Sequence, residues 1–426
     1  MQKAPSRTPS QHRRFLRNYV VGERGFEPPA PASRRQCSTR LSYSPTGAPA
    51  CAGAGQERAY RGRSGRWQAL KSRFSFHNRI GAAPAPGFGE SASPRYREAM
   101  ASAPASPASP APAPAGPDHF EWQYLALMRR VWDEGDERID RTGVGTRSLF
   151  GAELRFSLAE GQVPLLTTKR VYWKTAAREF LWFLTGDTNI RALCAQGVEI
   201  WTDWPLARYR RETGAEITRE AFSARIVEDA AFAAQWGDLG PVYGKQWVDW
   251  PVYEPASGEA PGLFRRREHG VNQVADVVRS LRENPGSRRH LIEGWNVAEV
   301  DRMALPPCHK SYQFHVAGGR LSCLLYQRSC DIALGLPFNL FGAALFTRML
   351  AQQSDLEPGE LVWMGGDVHL YLNHADLVAE QLARLPSGTP RLDLTRRPES
   401  IFDYRIEDFA VTGYTPQKAI SAPVAV

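Results

Sequence analysis

Apolar and polar positions along this chain divide into an unpatterned quarter and a body where helical and strand periods alternate irregularly. Residues 1–99 hold no sustained period. Residues 101–117 repeat Ala, Ser and Pro and read as an extended linker with no packing face. From Asp118, read as an N-cap, Phe120, Tyr124, Leu127, Met128 and Val131 recur at helical spacing and predict a first helix. Residues 146–158 read as a strand with Gly151 at a bulge. Over 172–185, Trp173, Ala177, Phe180, Leu181 and Leu184 make one helical face, and Ala176 and Phe183 put apolar groups beside Glu179 on the other. Residues 205–235 are charged and lack a clear core face, so they read as an insertion, partly helical near 218–229. Gly237-Asp238-Leu239-Gly240 then reads as a tight turn. Val274, Val277, Val278 and Leu281 predict a helix ended by Pro285-Gly286. Strands are expected at about 289–297, 311–317 and 320–327, then a long apolar helix at 339–352 and a strand at 360–369. A helix capped by Asn373 and short strands near 391–394 and 408–413 complete the chain. Strands and helices mix without regular βαβ alternation, so the expected class is α+β. No internal repeat, phosphate loop or dinucleotide glycine motif is present.

Charge changes the picture only at the N-terminus. The net charge of +8 and pI near 9.2 suggest a nucleic-acid binder. Residues 1–99, however, hold 18 basic and 5 acidic residues, a net of +13, and the remainder is net −5 with 35 and 40. A mildly acidic body is not expected to coat itself with nucleic acid. The first 99 residues are rich in Arg, Ser, Pro, Gly and Ala and are expected to be disordered, since they cannot bury enough apolar surface to offset ordering entropy. Within them, residues 22–29 and 37–44 resemble peptides read through a bacterial tRNA gene, so translation is expected to start at Met100. The alternatives are a basic RNA-binding arm or a transit peptide. The six cysteines, Cys37, Cys51, Cys194, Cys308, Cys323 and Cys330, form no C-x-x-C pair, which suits a reducing cytoplasm. No apolar run approaches the length of about eighteen residues needed to span a membrane, and the first thirty residues lack a secretory apolar core.

The candidate chemistry centres on Ala304-Leu305-Pro306-Pro307-Cys308-His309-Lys310. Two prolines exclude a helix interior, and the alternation Tyr312, Phe314, Val316 predicts a strand just beyond. Cys308 therefore sits on a stiff loop at a strand entrance. A thiol of pKa about 8.5 is only a few per cent thiolate at neutral pH, and a neighbouring guanidinium bringing it to about 7 makes about half of it reactive. Arg328 is the candidate for that role. The plainer reading of Cys308 is a small buried apolar residue. His309 invites a reading as base, but neighbours on a strand face opposite ways, so it reads as supporting structure. Single arginines are usually solvated, yet Arg328 falls between Tyr326 and Cys330 on a strand, and Arg288-Arg289 opens another after a turn. Paired guanidinium donors suit a phosphate monoester. Glu179 among Phe180, Trp182 and Phe183 is expected to have a raised pKa or partners unless it is an exposed helix glutamate. Asn339 offers a donor and an acceptor, or else caps a helix.

These stretches, with Gln327-Arg328-Ser329-Cys330-Asp331, Gly335-Leu336-Pro337-Phe338-Asn339, Asp140-Arg141-Thr142-Gly143, Ser287-Arg288-Arg289, Asp367-Val368-His369-Leu370-Tyr371 and the closing Ala422-Pro423-Val424-Ala425-Val426, closely resemble the thymidylate synthase family, in the family's order, from about Phe120 to Val426. The resemblance implies a mixed β-sheet packed by helices, with a sheet face forming the interface of a homodimer. It implies that dUMP is methylated to dTMP by 5,10-methylenetetrahydrofolate, which supplies carbon and hydride and leaves as dihydrofolate, with no metal, flavin or NAD(P)H. By the same resemblance Cys308 adds to C6 of uracil, and Arg141, Arg288, Arg289 and Arg328 grip the phosphate, Arg288 and Arg289 coming from the partner subunit. Ser329 adds a hydroxyl donor, Asn339 reads the uracil edge, His369 and Tyr371 bond the deoxyribose hydroxyl, Glu179 relays protons and Tyr243 orders catalytic water. Ile200, Trp201, Trp204, Leu336, Phe338 and the C-terminal Val426 form a folate wall, any one of which could instead be ordinary core. Asp331 bonds the pterin edge, Gly335 allows close approach, Lys169 meets the glutamate tail, and Ala425 and the terminal carboxylate close as a lid. Thr202-Asp203 departs from the Asp-Glu of many relatives, which puts pterin contacts from that loop in doubt. The rivals are a pyrimidine hydroxymethylase of the same fold, against which Asn339 speaks for the cytosine version, and an RNA-binding regulator acting through the basic arm.

Overall fold

The computed structural model describes residues 116–139, 143–256 and 262–424. Arg141, Ala425, Val426, the basic extension and most of the linker lie outside the described residues. In chain order the elements are helix α1 (Glu121–Glu134), strands β1 (Asp136–Arg138) and β2 (Thr146–Ser157), helices α2 (Trp173–Thr185), α3 (Arg191–Ala195), α4 (Asp203–Thr213), α5 (Arg219–Glu228), α6 (Ala230–Trp236) and α7 (Tyr243–Val248), strands β3 (Tyr253–Pro255) and β4 (Phe264–Arg266), helix α8 (Gln273–Glu283), strands β5 (Leu291–Glu293), β6 (His309–Ala317) and β7 (Arg320–Asp331), helix α9 (Gly335–Gln353), strand β8 (Glu357–Tyr371), helix α10 (Ala375–Leu382), and strands β9 (Arg391–Leu394) and β10 (Phe409–Thr412).

A six-stranded sheet in the order β1-β2-β8-β7-β6-β5 organises the body, with β9–β10 and β3–β4 as separate hairpins. Its pairs are antiparallel except β7–β8, which run parallel because α9 returns the chain between them. The sheet is mixed, as α+β predicts. On one face Ile292, Tyr312, Cys323, Leu325, Leu361 and Trp363 are all buried. The register places Leu291, Gln313, Leu324 and Met364 on the other, where Leu291 and Met364 stay exposed. Helix α9 has fourteen of its nineteen residues buried, which explains why its sequence is apolar all round.

Several expected boundaries move. Helix α1 starts at Glu121 with no side-chain cap, so Asp118 is not its N-cap. Helix α10 follows a 3-10 turn and begins after His374, so Asn373 is not its cap either. The strand expected over 289–297 is only β5, and the side-chain amide of Gln273 bonds both the N–H and the carbonyl of Glu293 at this edge. Helix α9 starts four residues before the expected 339, because Pro337 falls in its first turn, where a missing N–H costs nothing. Register across Gly151 does not shift, so it is no bulge; the glycine absorbs a φ of 90° instead.

The insertion departs most from expectation. It is three helices, α4 to α6, two of them started by side-chain caps from Thr218 and Asp229. Tyr209, Phe222, Phe232 and Trp236 pack together as its own aromatic core, with Tyr209 and Trp236 centroids 5.0 Å apart. Each helix contributes only one or two of these rings, so no periodic face is visible along the chain.

Candidate active site

Cys308 occupies a bend immediately before β6 and is half-buried. Its backbone N–H donates to the Tyr243 hydroxyl at 2.7 Å, and its carbonyl accepts from the Arg328 N–H at 2.9 Å. The Arg328 guanidinium turns back on the same loop: Nε donates to the Pro307 carbonyl at 2.8 Å and Nη2 to the Pro306 carbonyl at 2.7 Å. It also lies over the Trp295 ring, 5.0 Å from the centroid. The prolines have no N–H with which to join a ladder, and one arginine on the neighbouring strand satisfies their carbonyls. This places a guanidinium against the loop that carries Cys308. His309 is buried, and burial pushes its imidazole pKa down to about 4, with the adjoining Asn339 acting in the opposite direction. Its Nδ1 lies 3.2 Å from the Tyr312 hydroxyl. A ring that stays neutral in the core fits the supporting role.

Glu179 projects from α2 toward Trp201, whose indole N–H donates to its Oε1 at 2.7 Å. Burial pushes the carboxyl up to about 7, against the opposing pull of that hydrogen bond. Trp201 is buried beside Tyr243, centroids 5.8 Å apart. Tyr243 stacks on Phe183 at 4.8 Å, and burial pushes its hydroxyl well above the usual range. A continuous path therefore runs from Glu179 through Trp201 and Tyr243 to the Cys308 backbone.

Asn339 lies in the second turn of α9 and caps nothing. Its Oδ1 accepts from Gln327 Nε2 at 2.9 Å, and Gln327 Oε1 accepts from the Trp363 indole at 2.9 Å. This relay fixes which way the amide faces. In the sequence, a glutamine at an inward strand position is the only sign of this relay, and nothing marks Trp363.

Ser329 and Asp331 follow Arg328 along β7, and Asp331 pairs in register with His369 on β8. Asp331 Oδ1 accepts from the N–H groups of Ala333 at 2.8 Å and Leu334 at 3.2 Å, which shapes the entrance to α9. His369 and Tyr371 share a side of β8 with centroids 5.4 Å apart. Asp367, also missed, holds His369 Nδ1 at 3.2 Å and accepts from Arg138 at 2.9 Å. The His369 hydrogen bond, above all, holds the Asp367 carboxyl below its usual range.

Arg288 and Arg289 are exposed in the turn before β5 rather than opening a strand. The pairing of Leu291 with Gln313 puts them at the far end of β6 from Cys308. At about 3.3 Å per residue that separation is roughly 20 Å, beyond the reach of an arginine side chain.

Among the expected folate contacts, Ile200 and Phe338 are half-buried, as is Trp204, whose ring centroid is 5.4 Å from that of Trp201. Leu336 is fully buried in the core, so the plainer reading holds for it. A Cβ on Gly335 would lie 3.6 Å from Asn339 Oδ1 and 3.9 Å from Asp331 Cβ, in ordinary contact with both. Lys169 turns inward: it is buried, donates to the Ala333 carbonyl, and burial lowers its pKa to about 8. The chain before it is fixed by Glu121, whose carboxylate accepts from the backbone and hydroxyl of both Thr167 and Thr168. His374 Nε2 holds the Pro423 carbonyl at 2.9 Å and so anchors the C-terminal segment. Among the described residues no group of three or more His, Cys, Asp or Glu stands close enough to hold a metal ion, and no helix is long and apolar enough to cross a membrane.

The sequence profile of the thymidylate synthase family matches residues 122–426. A thymidylate synthase of Novosphingobium aromaticivorans is 78% identical over 308 residues, 72% of this chain and 97% of that protein. Those of Sphingopyxis alaskensis and Rhodopseudomonas palustris are 69% and 59% identical over 309 residues, covering 72% of this chain and 98% and 99% of their own lengths. With the profile spanning the whole sheet and every element around Cys308, the chain belongs to the thymidylate synthase family.

Proposed function

We propose that this protein converts dUMP to dTMP, with 5,10-methylenetetrahydrofolate as co-substrate. The folate supplies the one-carbon unit and the hydride and leaves as dihydrofolate. The Cys308 thiolate adds to C6 of the uracil ring, which makes C5 nucleophilic, and is expelled when the methylated product forms. Asn339, held by Gln327, presents its amide to the N3–H and O4 edge. Glu179, with a pKa near neutrality, exchanges protons with O4 and C5 through water. Ser329, Arg328 and Arg141 address the phosphate, and His369 and Tyr371 the deoxyribose. Asp331, Gly335, Ile200, Trp201, Trp204 and Phe338 take the folate, and Lys169, turned inward onto the Ala333 carbonyl, is not assigned to its glutamate tail.

The observation that carries this reading is the path from Glu179 through Trp201 and Tyr243 to Cys308, which joins a carboxyl that burial raises to about 7 to the hydrogen-bonded backbone of the cysteine. The test is covalent capture. Incubation with 5-fluoro-dUMP and methylenetetrahydrofolate should add the mass of both to the native protein and nothing to Cys308→Ser. An adduct on the serine variant, or none on the native protein, overturns the assignment.

The same reading makes the protein a cytoplasmic homodimer in which Arg288 and Arg289 serve the neighbouring site. Their distance from Cys308 within one chain supports this, as does the half-apolar sheet face that carries Leu291 and Met364.

A further inference from the structure

One side chain of α5 reaches back to the segment that carries Trp201. Arg219, on α5, donates from Nε to Asp203 Oδ1 at 2.9 Å, from Nη1 to Glu199 Oε2 at 3.2 Å and from Nη2 to the Glu199 carbonyl. Glu199 and Asp203 bracket Ile200, Trp201 and Thr202. Within that bracket the Thr202 N–H bonds the Glu199 carbonyl at 3.0 Å, and Thr202 is fully buried. Trp201 projects from the middle and donates to Glu179. Without the guanidinium two carboxylates would face each other across the segment, with repulsion to spread it.

We propose that Arg219 is a positioning residue: the insertion supplies it to close the segment Glu199 to Asp203, and the closed segment keeps the Trp201 indole bonded to the Glu179 carboxylate. This deepens the reading of Glu179 given above and rests on it for its catalytic consequence. It also assigns a purpose to Asp203, which stands where the sequence departs from many relatives. The acid at this position pairs with an arginine that only the insertion brings. The three helices are thereby tied to the chemistry as well as to their own core.

A readout that does not depend on turnover tests the inference. Glu179 is titrated by carbon-13 NMR in glutamate-labelled protein, with Glu179→Gln assigning the resonance. In Arg219→Met the segment relaxes and the indole hydrogen bond, which favours the charged carboxylate, weakens. A lost bond to a charged group is worth about 1.5 kcal/mol, so the titration midpoint should rise by about one unit. Arg219→Lys, which keeps the charge but not the forked geometry, should fall between. Asp203→Asn opens one end of the bracket at nearly constant volume and should raise the midpoint in the same direction, whether or not Arg219→Met folds well. A midpoint in Arg219→Met or in Asp203→Asn that stays at the native value overturns the inference. Activity separates the two claims: if Glu179→Gln retains full turnover, the proton-relay reading fails, whereas the midpoints still judge Arg219. If Glu179→Gln is inactive, the kcat profile of Arg219→Met should move with its midpoint while the affinity for dUMP is unchanged.

Discussion

Glu179 shows at residue scale how a cost in stability and a capacity for chemistry share one cause. Burial raises its pKa from 4.5 to about 7, so the native protein holds this proton more tightly than the unfolded chain does. The resulting stabilisation is complete below pH 4.5 and is lost as pH rises through 7. Glu179→Gln should therefore melt above the parent at pH 8 and level with it at pH 4, as calorimetry at the two pH values would show, while losing turnover. The same logic with opposite sign applies to His309. Its imidazole is depressed from 6.5 to about 4, so the stability it contributes is present above pH 6.5 and is lost as pH falls toward 4. Replacing Tyr243 by Phe strands the Cys308 N–H without its acceptor. That should cost about 1–3 kcal/mol in denaturant unfolding, and kcat should fall more than KM. At this scale the sequence was a good guide. A carboxylate among aromatic residues and a cysteine behind two prolines are local signals. Gln327 and Asp367 were not legible in this way, because Gln327 holds an amide twelve residues away on α9 and Asp367 joins His369 to Arg138 of the distant strand β1.

At the scale of elements, the helices around the site depend on close approach. Gly244, in α7 beside Tyr243, would bring a Cβ to 2.2 Å from the Phe183 carbonyl of α2. Gly244→Ala must separate the two helices, and it should reduce covalent 5-fluoro-dUMP capture by disturbing the Tyr243 contact to Cys308. In the insertion, Phe222 is fully buried among Tyr209 and Phe232. Phe222→Ala should destabilise by about 3–5 kcal/mol, and denaturant unfolding followed by tryptophan emission would measure it. Element type was readable where a face repeats, as in α1 and α2. Ends were less so: Asp118 and Asn373 have the composition of caps, yet the helices start elsewhere. A cap is decided by the path of the incoming chain, which is a tertiary matter.

For the whole molecule, the distance between Cys308 and the pair Arg288-Arg289 has a direct consequence. Arg288→Glu and Cys308→Ser should each be inactive alone. Mixed one to one and allowed to exchange subunits, they should recover about a quarter of the native activity, because half the dimers are hybrids with one intact site each. Absence of recovery after exchange is verified by mass would show that each chain supplies its own phosphate grip.

Composition and period were enough to determine the α+β class, the acidic body behind a basic extension, the long buried helix and the loop that presents the thiol. Each of these rests on residues near in sequence, where sterics and burial act directly. The structure alone decided that α4 to α6 share an aromatic core, that Lys169 and Leu336 turn inward, and that Arg219 reaches the segment bearing Trp201. Those outcomes depend on which surfaces meet once the chain has folded, and pairwise contacts between distant residues leave no period along it.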